Sequence, residues 1–371
     1  MNQDFNFKDI VRHFTFEGAF IEANPYGCGH INDTFAAYFK KADGNTHRYI
    51  MQRINHNVFK SPENLMENIE SVTRHLRKKI IAAGGNEQRE TLNLISTVDG
   101  KSFYKSPEGH YWRAYIFIEN ATTYQVVENA DHFYNAGKAF GTFQKLLSDF
   151  PAGQLHETIP NFHHTSKRFE AFAEAVDKDR MNRAKDVRAE IAFAEKRAAD
   201  TSVLVDLLEQ GKLPLRVTHN DTKFNNIMID DITGEGVCVI DLDTVMPGLS
   251  LYDFGDSIRF GANPAAEDEK DLSKVWMELG LYEQFTRGFL ESAGKFLTPV
   301  ELAYLPFSAK LMTFECGIRF LTDYLNGDVY FKVHREGHNL DRTRTQFKLV
   351  ADMEEKFEQM KMIVERYTSL Q

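Results

Sequence analysis

Apolar residues recur with two different periods along this chain, and the change falls near Asn120. Before it, residues 19–26, 31–39 and 48–54 read as extended segments, as do 91–98 and 111–118. One helix interrupts them. Ser61-Pro62-Glu63 opens it with a capping residue, a proline in the first turn and an acidic side chain there. Leu65, Ile69, Val72 and Leu76 then recur at helical spacing, and Gly84-Gly85 stops it. After Asn120 helical patterns dominate: residues 131–150, 166–176, a long charged stretch at 185–210, and long helices from about Leu251 onward. Loop and strand patterns interrupt this half only at residues 216–243. The layout predicts an α+β chain, with a β-rich N-terminal lobe over residues 1–119 and a mainly helical C-terminal lobe over 120–371.

A chain of 371 residues should bury roughly three quarters of its unfolded surface, so the core needs no disulfide or metal staple. The net charge of −10 argues against a general nucleic-acid binder, since neutralising a phosphate backbone needs clustered Lys and Arg. A local site for one phosphorylated ligand remains compatible with it. Cys28, Cys238 and Cys316 are far apart and show no Cys-x-x-Cys spacing, which fits a reducing cytoplasm. No apolar run approaches the ~18–20 residues of a membrane span. The expectation is a soluble, cytoplasmic protein without membrane or nucleic-acid partners; its oligomeric state is not legible.

The chemistry concentrates in His219-Asn220-Asp221-Thr222-Lys223-Phe224-Asn225-Asn226 and, after the apolar run 237–240, in Asp241-Leu242-Asp243. Phosphoryl transfer from ATP needs a carboxylate to orient the acceptor hydroxyl and accept its proton. It also needs oxygen ligands for magnesium and neutralisation of the phosphate charge. Asp221 can serve as the base, and Asn226 and Asp241 as hard-oxygen magnesium ligands. The His-x-Asp-x4-Asn spacing matches a kinase catalytic loop. Each half alone reads as turn residues and a strand end, but both in order after a β-rich lobe point to a kinase site. Asp253-Phe254-Gly255 spells the protein-kinase metal motif but follows a loop, so Asp253 is expected to start a helix and brace the catalytic loop. Asp243 is either a second metal ligand on the strand face of Asp241 or a polar strand end.

These motifs resemble the aminoglycoside/choline kinase-like superfamily. The resemblance runs over nearly the whole chain. It is most specific at Pro25-Tyr26-Gly27-Cys28-Gly29-His30-Ile31-Asn32 and at residues 215–226, 240–247, 253–261 and 315–330. It implies a protein-kinase-like bilobal fold and use of ATP and magnesium. The first and last of these stretches are closer to bacterial kinases that phosphorylate the anomeric hydroxyl of N-acetylglucosamine and N-acetylgalactosamine. That resemblance carries His30, Arg319 and Tyr330 into a sugar site. Acceptors left open are another sugar, an amino alcohol or homoserine; a catalytically silent nucleotide- or sugar-binding protein is the remaining alternative.

On the nucleotide side, Gly27 and Gly29 can let backbone N–H groups approach phosphate. Phe117-Ile118-Glu119 would be the hinge beside adenine. Protein kinases carry a phosphate-binding Lys on the third strand, but Gln52 stands there and Arg53 should face away. No partner for such a cation is nominated between Glu67 and Glu70. Lys223 is the candidate for the γ-phosphate instead. On the acceptor side, Arg319 lies among apolar helical residues, where a guanidinium needs either a salt-bridge partner or a polar substrate.

Overall fold

A computed structural model describes residues 5–27, 31–127 and 129–369. Gly29 and His30 therefore lie outside the described residues, as does Cys28. After a short helix α1 (Phe7–Ile10), strands β1 (Ala19–Pro25), β2 (Asp33–Lys40) and β3 (Thr46–Ile54) follow. With β4 (Tyr104–Lys105) and β5 (Tyr111–Ile116) they form one antiparallel sheet in the order β1-β2-β3-β5-β4. Helix α2 (Pro62–Ala82) crosses between β3 and β4 in the chain. Its buried stripe is Leu65, Met66, Ile69, Val72, Leu76 and Ile80. From that face the Asn68 amide donates to the backbone oxygens of His156 (2.8 Å) and Val245 (3.0 Å), tying the N-terminal helix to the loop beyond Asp243.

The expected strand at 91–98 does not form. Only two isolated bridges, Phe14–Thr97 and Leu94–Tyr115, are made there. The Asn93 amide instead donates to the backbone oxygens of Glu87 and Thr91, the local competition that makes Asn a poor ladder residue.

The second half contains β6 (Ala121–Thr122), α3 (Ala130–Leu146), α4 (Thr165–Lys178), α5 (Arg188–Glu195), α6 (Val203–Glu209), β7 (Arg216–Thr218), β8 (Ile227–Asp230), β9 (Gly236–Val239) and β10 (Met246–Gly248). Helices α7 (Ser250–Gly261), α8 (Leu279–Ala293), α9 (Pro299–Leu325), α10 (His338–Glu355) and α11 (Phe357–Thr368) complete it. The single long helix expected over 185–210 is broken between α5 and α6. Across that break Thr201 Oγ1 donates to Ala198 O, Ser202 Oγ donates to Asp206, and Asp200 accepts from Lys310 Nζ. Short polar side chains there offer the backbone alternatives to the helical ladder.

Helices α3 and α8 approach backbone to backbone. A Cβ at Gly288 would stand 2.1 Å from Tyr134 O, so no larger residue fits without displacing a helix. One apolar cluster runs continuously from Met66 and Ile69 of α2 through Phe254 to Phe285 and Leu305. Sheet and helices thus hold the cleft between them on a shared core. Among the described residues no helix is long and apolar enough to cross a membrane.

Candidate active site

Short ladders hold the central loop. Strand β7 pairs with β10 and β8 with β9, and the 219–226 segment spans the gap between β7 and β8. Asp253, in the first turn of α7, accepts the backbone N–H groups of His219 (3.0 Å) and Asn220 (2.8 Å) and the side-chain amide of Gln144 (2.8 Å). The carboxylate at the start of α7 therefore braces the loop and sits inside the protein, away from the cleft lining. His219 is fully buried. Its Nε2–H donates to Ile240 O at 2.8 Å, which leaves Nδ1 to accept the Asp221 N–H at 3.3 Å. Asn220 and Asp241 both adopt left-handed backbone conformations, at φ of 64° and 58°, which Asn and Asp tolerate better than most side chains.

These constraints deliver Asp221, Asn226 and Asp241 to the floor of a cleft of about 1270 Å³ between the sheet and the helices. Lys223 Nζ lies 2.8 Å from Asp221 Oδ1. Burial opposes ionisation of Asp221, but the Lys223 ammonium together with the other positive groups around it, Arg259 among them, holds the carboxyl below its usual range. The pairing correspondingly raises the Lys223 ammonium. The Asn226 amide nitrogen donates to Asp221 O (2.8 Å) and Oδ2 (3.2 Å), which leaves its carbonyl oxygen as the free end.

Asp241 opens to the cleft and accepts no hydrogen bond among the described residues. Its deep setting, then the Asp243 and Asp221 carboxylates, push its carboxyl up to about 7. These oxygens suit a hard divalent cation. No group of three or more His, Cys, Asp or Glu among the described residues is arranged as a protein-only metal site. Asp243 is not beside Asp241 on a strand. It lies in the 3₁₀ turn Leu242–Thr244, where it accepts from Asn32 Nδ2 (2.5 Å) and pairs with Arg113 (2.5 Å).

At the sheet end of the cleft, Phe117 and Ile118 are nearly buried and line the wall. Tyr26 packs edge-on against Phe117 at 5.4 Å, and the Arg48 guanidinium, paired with Glu119, lies 3.7 Å from the Phe117 ring centre. Gly27 reaches the same wall at φ 77°. Gln52 faces the cleft, donates to Thr34 Oγ1 and accepts from Arg113 Nε, each at 3.0 Å. Glu67 pairs with His156 and Glu70 with Arg74; neither lines the cleft.

At the helical end, Arg319 of α9 lies between the Phe162 and Phe331 rings, at 5.3 and 5.6 Å. Among the described residues it has no hydrogen-bond or ion-pair partner, so the structural salt bridge that sequence left open is not made. Tyr330 is 63% exposed at the cleft mouth. Its loop is held by Asp323, which accepts the backbone N–H groups of Val329 (2.9 Å), Tyr330 (2.8 Å) and Phe331 (2.9 Å). Sequence reasoning missed Asp323 and Arg113. Each is a charged residue within an apolar run, and burial obliges such a residue to find partners. It also missed Glu315, which pairs with His163 at 2.7 Å while the same imidazole contacts Asn220 O at 2.9 Å.

A sheet carrying one crossing helix, a loop of buried polar anchors and a helical remainder define a protein-kinase-like α+β fold. A model of the phosphotransferase enzyme family (APH) matches residues 32–282, and the chain belongs to that family. Solved structures of the same fold include an aminoglycoside phosphotransferase from Alicyclobacillus acidocaldarius, at TM-score 0.64 and 10% identity, covering 100% of this chain and 98% of that one. The amicoumacin kinase hAmiN, in complex with AMP-PNP, Ca2+ and Ami, matches at TM-score 0.60 and 12% identity over 94% of this chain and 92% of its own. Choline kinase from Cryptosporidium parvum Iowa II matches at 0.54 and 16% over 94% and 93%.

Proposed function

We propose that this protein is an ATP- and magnesium-dependent small-molecule kinase, and that its acceptor is the anomeric hydroxyl of an N-acetylhexosamine, as in N-acetylhexosamine 1-kinase. Residues 1–119 would contribute the nucleotide side, with Gly27, Gly29, Phe117 and Ile118. Residues 120–371 would contribute the catalytic loop and the acceptor side, with Arg319 and Tyr330; the resemblance adds His30 to the sugar site.

The observation that carries the reaction class is the Asp221–Asn226–Asp241 set on the cleft floor. Asp221, kept ionised beside Lys223, orients the acceptor hydroxyl and takes its proton. The acceptor oxygen forms the new bond to the γ-phosphorus as the bond to the β,γ-bridging oxygen breaks, and ADP leaves with that electron pair. Asn226 and Asp241 would hold magnesium, which when bound supplies neutralisation of the phosphate charge. Lys223 adds a positive charge at the same place.

The sugar assignment rests on the stated resemblance and on Arg319. A guanidinium with free donors at the acceptor end suits hydroxyl or acetamide oxygens and repels a cationic acceptor such as choline. The test is acceptor-dependent ADP release with N-acetylglucosamine, N-acetylgalactosamine, glucose, choline, homoserine and kanamycin, with 31P NMR of the product. An anomeric phosphate on an N-acetylhexosamine is expected. Turnover with another acceptor alone would discard the sugar and keep the kinase. ATP binding without turnover on any of them would favour a silent relative.

A further inference from the structure

Protein kinases bind the phosphates with a Lys on the third strand, and here that place holds neutral Gln52. Strands β3 and β5 are hydrogen-bonded neighbours, and their register puts Arg113 directly opposite Gln52. Opposed residues on an antiparallel pair share a face, so the cation one strand over projects to the same side of the sheet.

Arg113 is 1% exposed, yet it lines the cleft. Its position is fixed on two sides. Nε donates to Gln52 Oε1 at 3.0 Å, and Nη1 pairs with Asp243 at 2.5 Å. The second terminal nitrogen, Nη2, has no partner among the described residues. A buried guanidinium normally satisfies its donors, so a free one at a cleft wall marks a place for an anion.

We propose that Arg113 is the resident cation for the terminal phosphates of the nucleotide, taking on β5 the role that a lysine takes on β3, with Gln52 and Asp243 as the residues that aim it. This rests on the nucleotide half of the function proposed above. With Nε and Nη1 engaged, Nη2 is the nitrogen left to donate to phosphate oxygen. Gln52 is then the part that orients the guanidinium, and not a sign of a silent site.

Binding of ADP and of adenosine, measured by calorimetry in EDTA, separates a phosphate contact from a structural one. Arg113→Met should lose at least tenfold in ADP affinity while adenosine binding holds within twofold. Adding Gln52→Lys to that variant should restore most of the loss. Equal losses for ADP and adenosine, or no loss for either, would overturn the proposal. Should Arg113→Met fail to fold, Gln52→Met leaves the Arg113–Asp243 pair in place and removes only the acceptor that aims the guanidinium. It should weaken ADP severalfold without moving adenosine, and an unchanged ADP affinity would overturn the assignment. Absence of ADP and ATP binding in the unmodified protein would instead sink the kinase reading itself.

Discussion

Asn226 is hydrogen-bonded to Asp221 twice, through one amide nitrogen that reaches both the backbone carbonyl and the side-chain carboxylate. The proposed base and the proposed metal ligand are therefore one unit. Asp221→Asn should reduce turnover at least a thousandfold, since it removes the proton acceptor and leaves only positioning. The amide is isosteric and can keep its place in the loop, so ATP affinity should change by less than about threefold. Single-turnover rates beside equilibrium nucleotide binding check this. Parallel loss of both in a folded protein would assign Asp221 to the metal.

Asp253 takes two backbone N–H groups that have no water to turn to. Asp253→Ala leaves both unpaired, at about 1–3 kcal/mol each. Urea unfolding should show a loss of roughly 2–5 kcal/mol, and turnover should fall with no change in which acceptor is used. A variant of unchanged stability would mean that the loop has another anchor.

Asp241 gives the pH dependence. Its folded carboxyl is raised to about 7 by burial and by Asp243 and Asp221. Without a cation, the folded protein holds a proton there that the unfolded chain has released. That stabilisation is complete below the ordinary carboxyl range and is lost as pH rises to about 7. In EDTA, Asp241→Asn should therefore be more stable than the unmodified protein near pH 8, and the advantage should shrink toward pH 5.5. Divalent cations need the ionised form, so their binding should strengthen as pH rises through about 7. Melting curves across that range, with and without magnesium and ADP, read both effects. A pH-independent difference would place the titration elsewhere.

The proposed catalytic segment stood out because its polar residues are local: Asp221 and Asn226 sit five residues apart on one loop. Helix α2 was legible from its cap and stripe, and β1, β2, β3 and β5 as extended runs, whereas the two-residue β4 was read as intervening chain. The Arg113–Asp243 pair was not, because the two residues are 130 positions apart. Only the β3–β5 register and the turn after β9 bring them together. Asp323 escaped notice for a related reason. Its partners are backbone N–H groups, which carry no residue identity in a sequence. The break between α5 and α6 was hidden by a helical charge pattern that continues through Asp200-Thr201-Ser202, where side-chain hydrogen bonds override it.

Arg319 separates the sugar reading from an amine acceptor. Among the described residues its guanidinium packs on the rings of Phe162 and Phe331 and makes no hydrogen bond, so its donors are open to a neutral oxygen-rich ligand. Arg319→Met keeps the aliphatic packing and removes the donors. KM for N-acetylglucosamine should rise at least tenfold, in line with about 1.5–3 kcal/mol for a hydrogen bond to a charged group. KM for ATP should stay within twofold, because the residue stands at the helical end of the cleft. Arg319→Lys should fall between the two, since the ammonium keeps the charge and loses the fork. The same Met variant should tolerate choline better than the unmodified protein, the repelling charge being gone. A rise in KM for ATP equal to that for the sugar would show that Arg319 acts through the shape of the whole cleft and does not contact the acceptor.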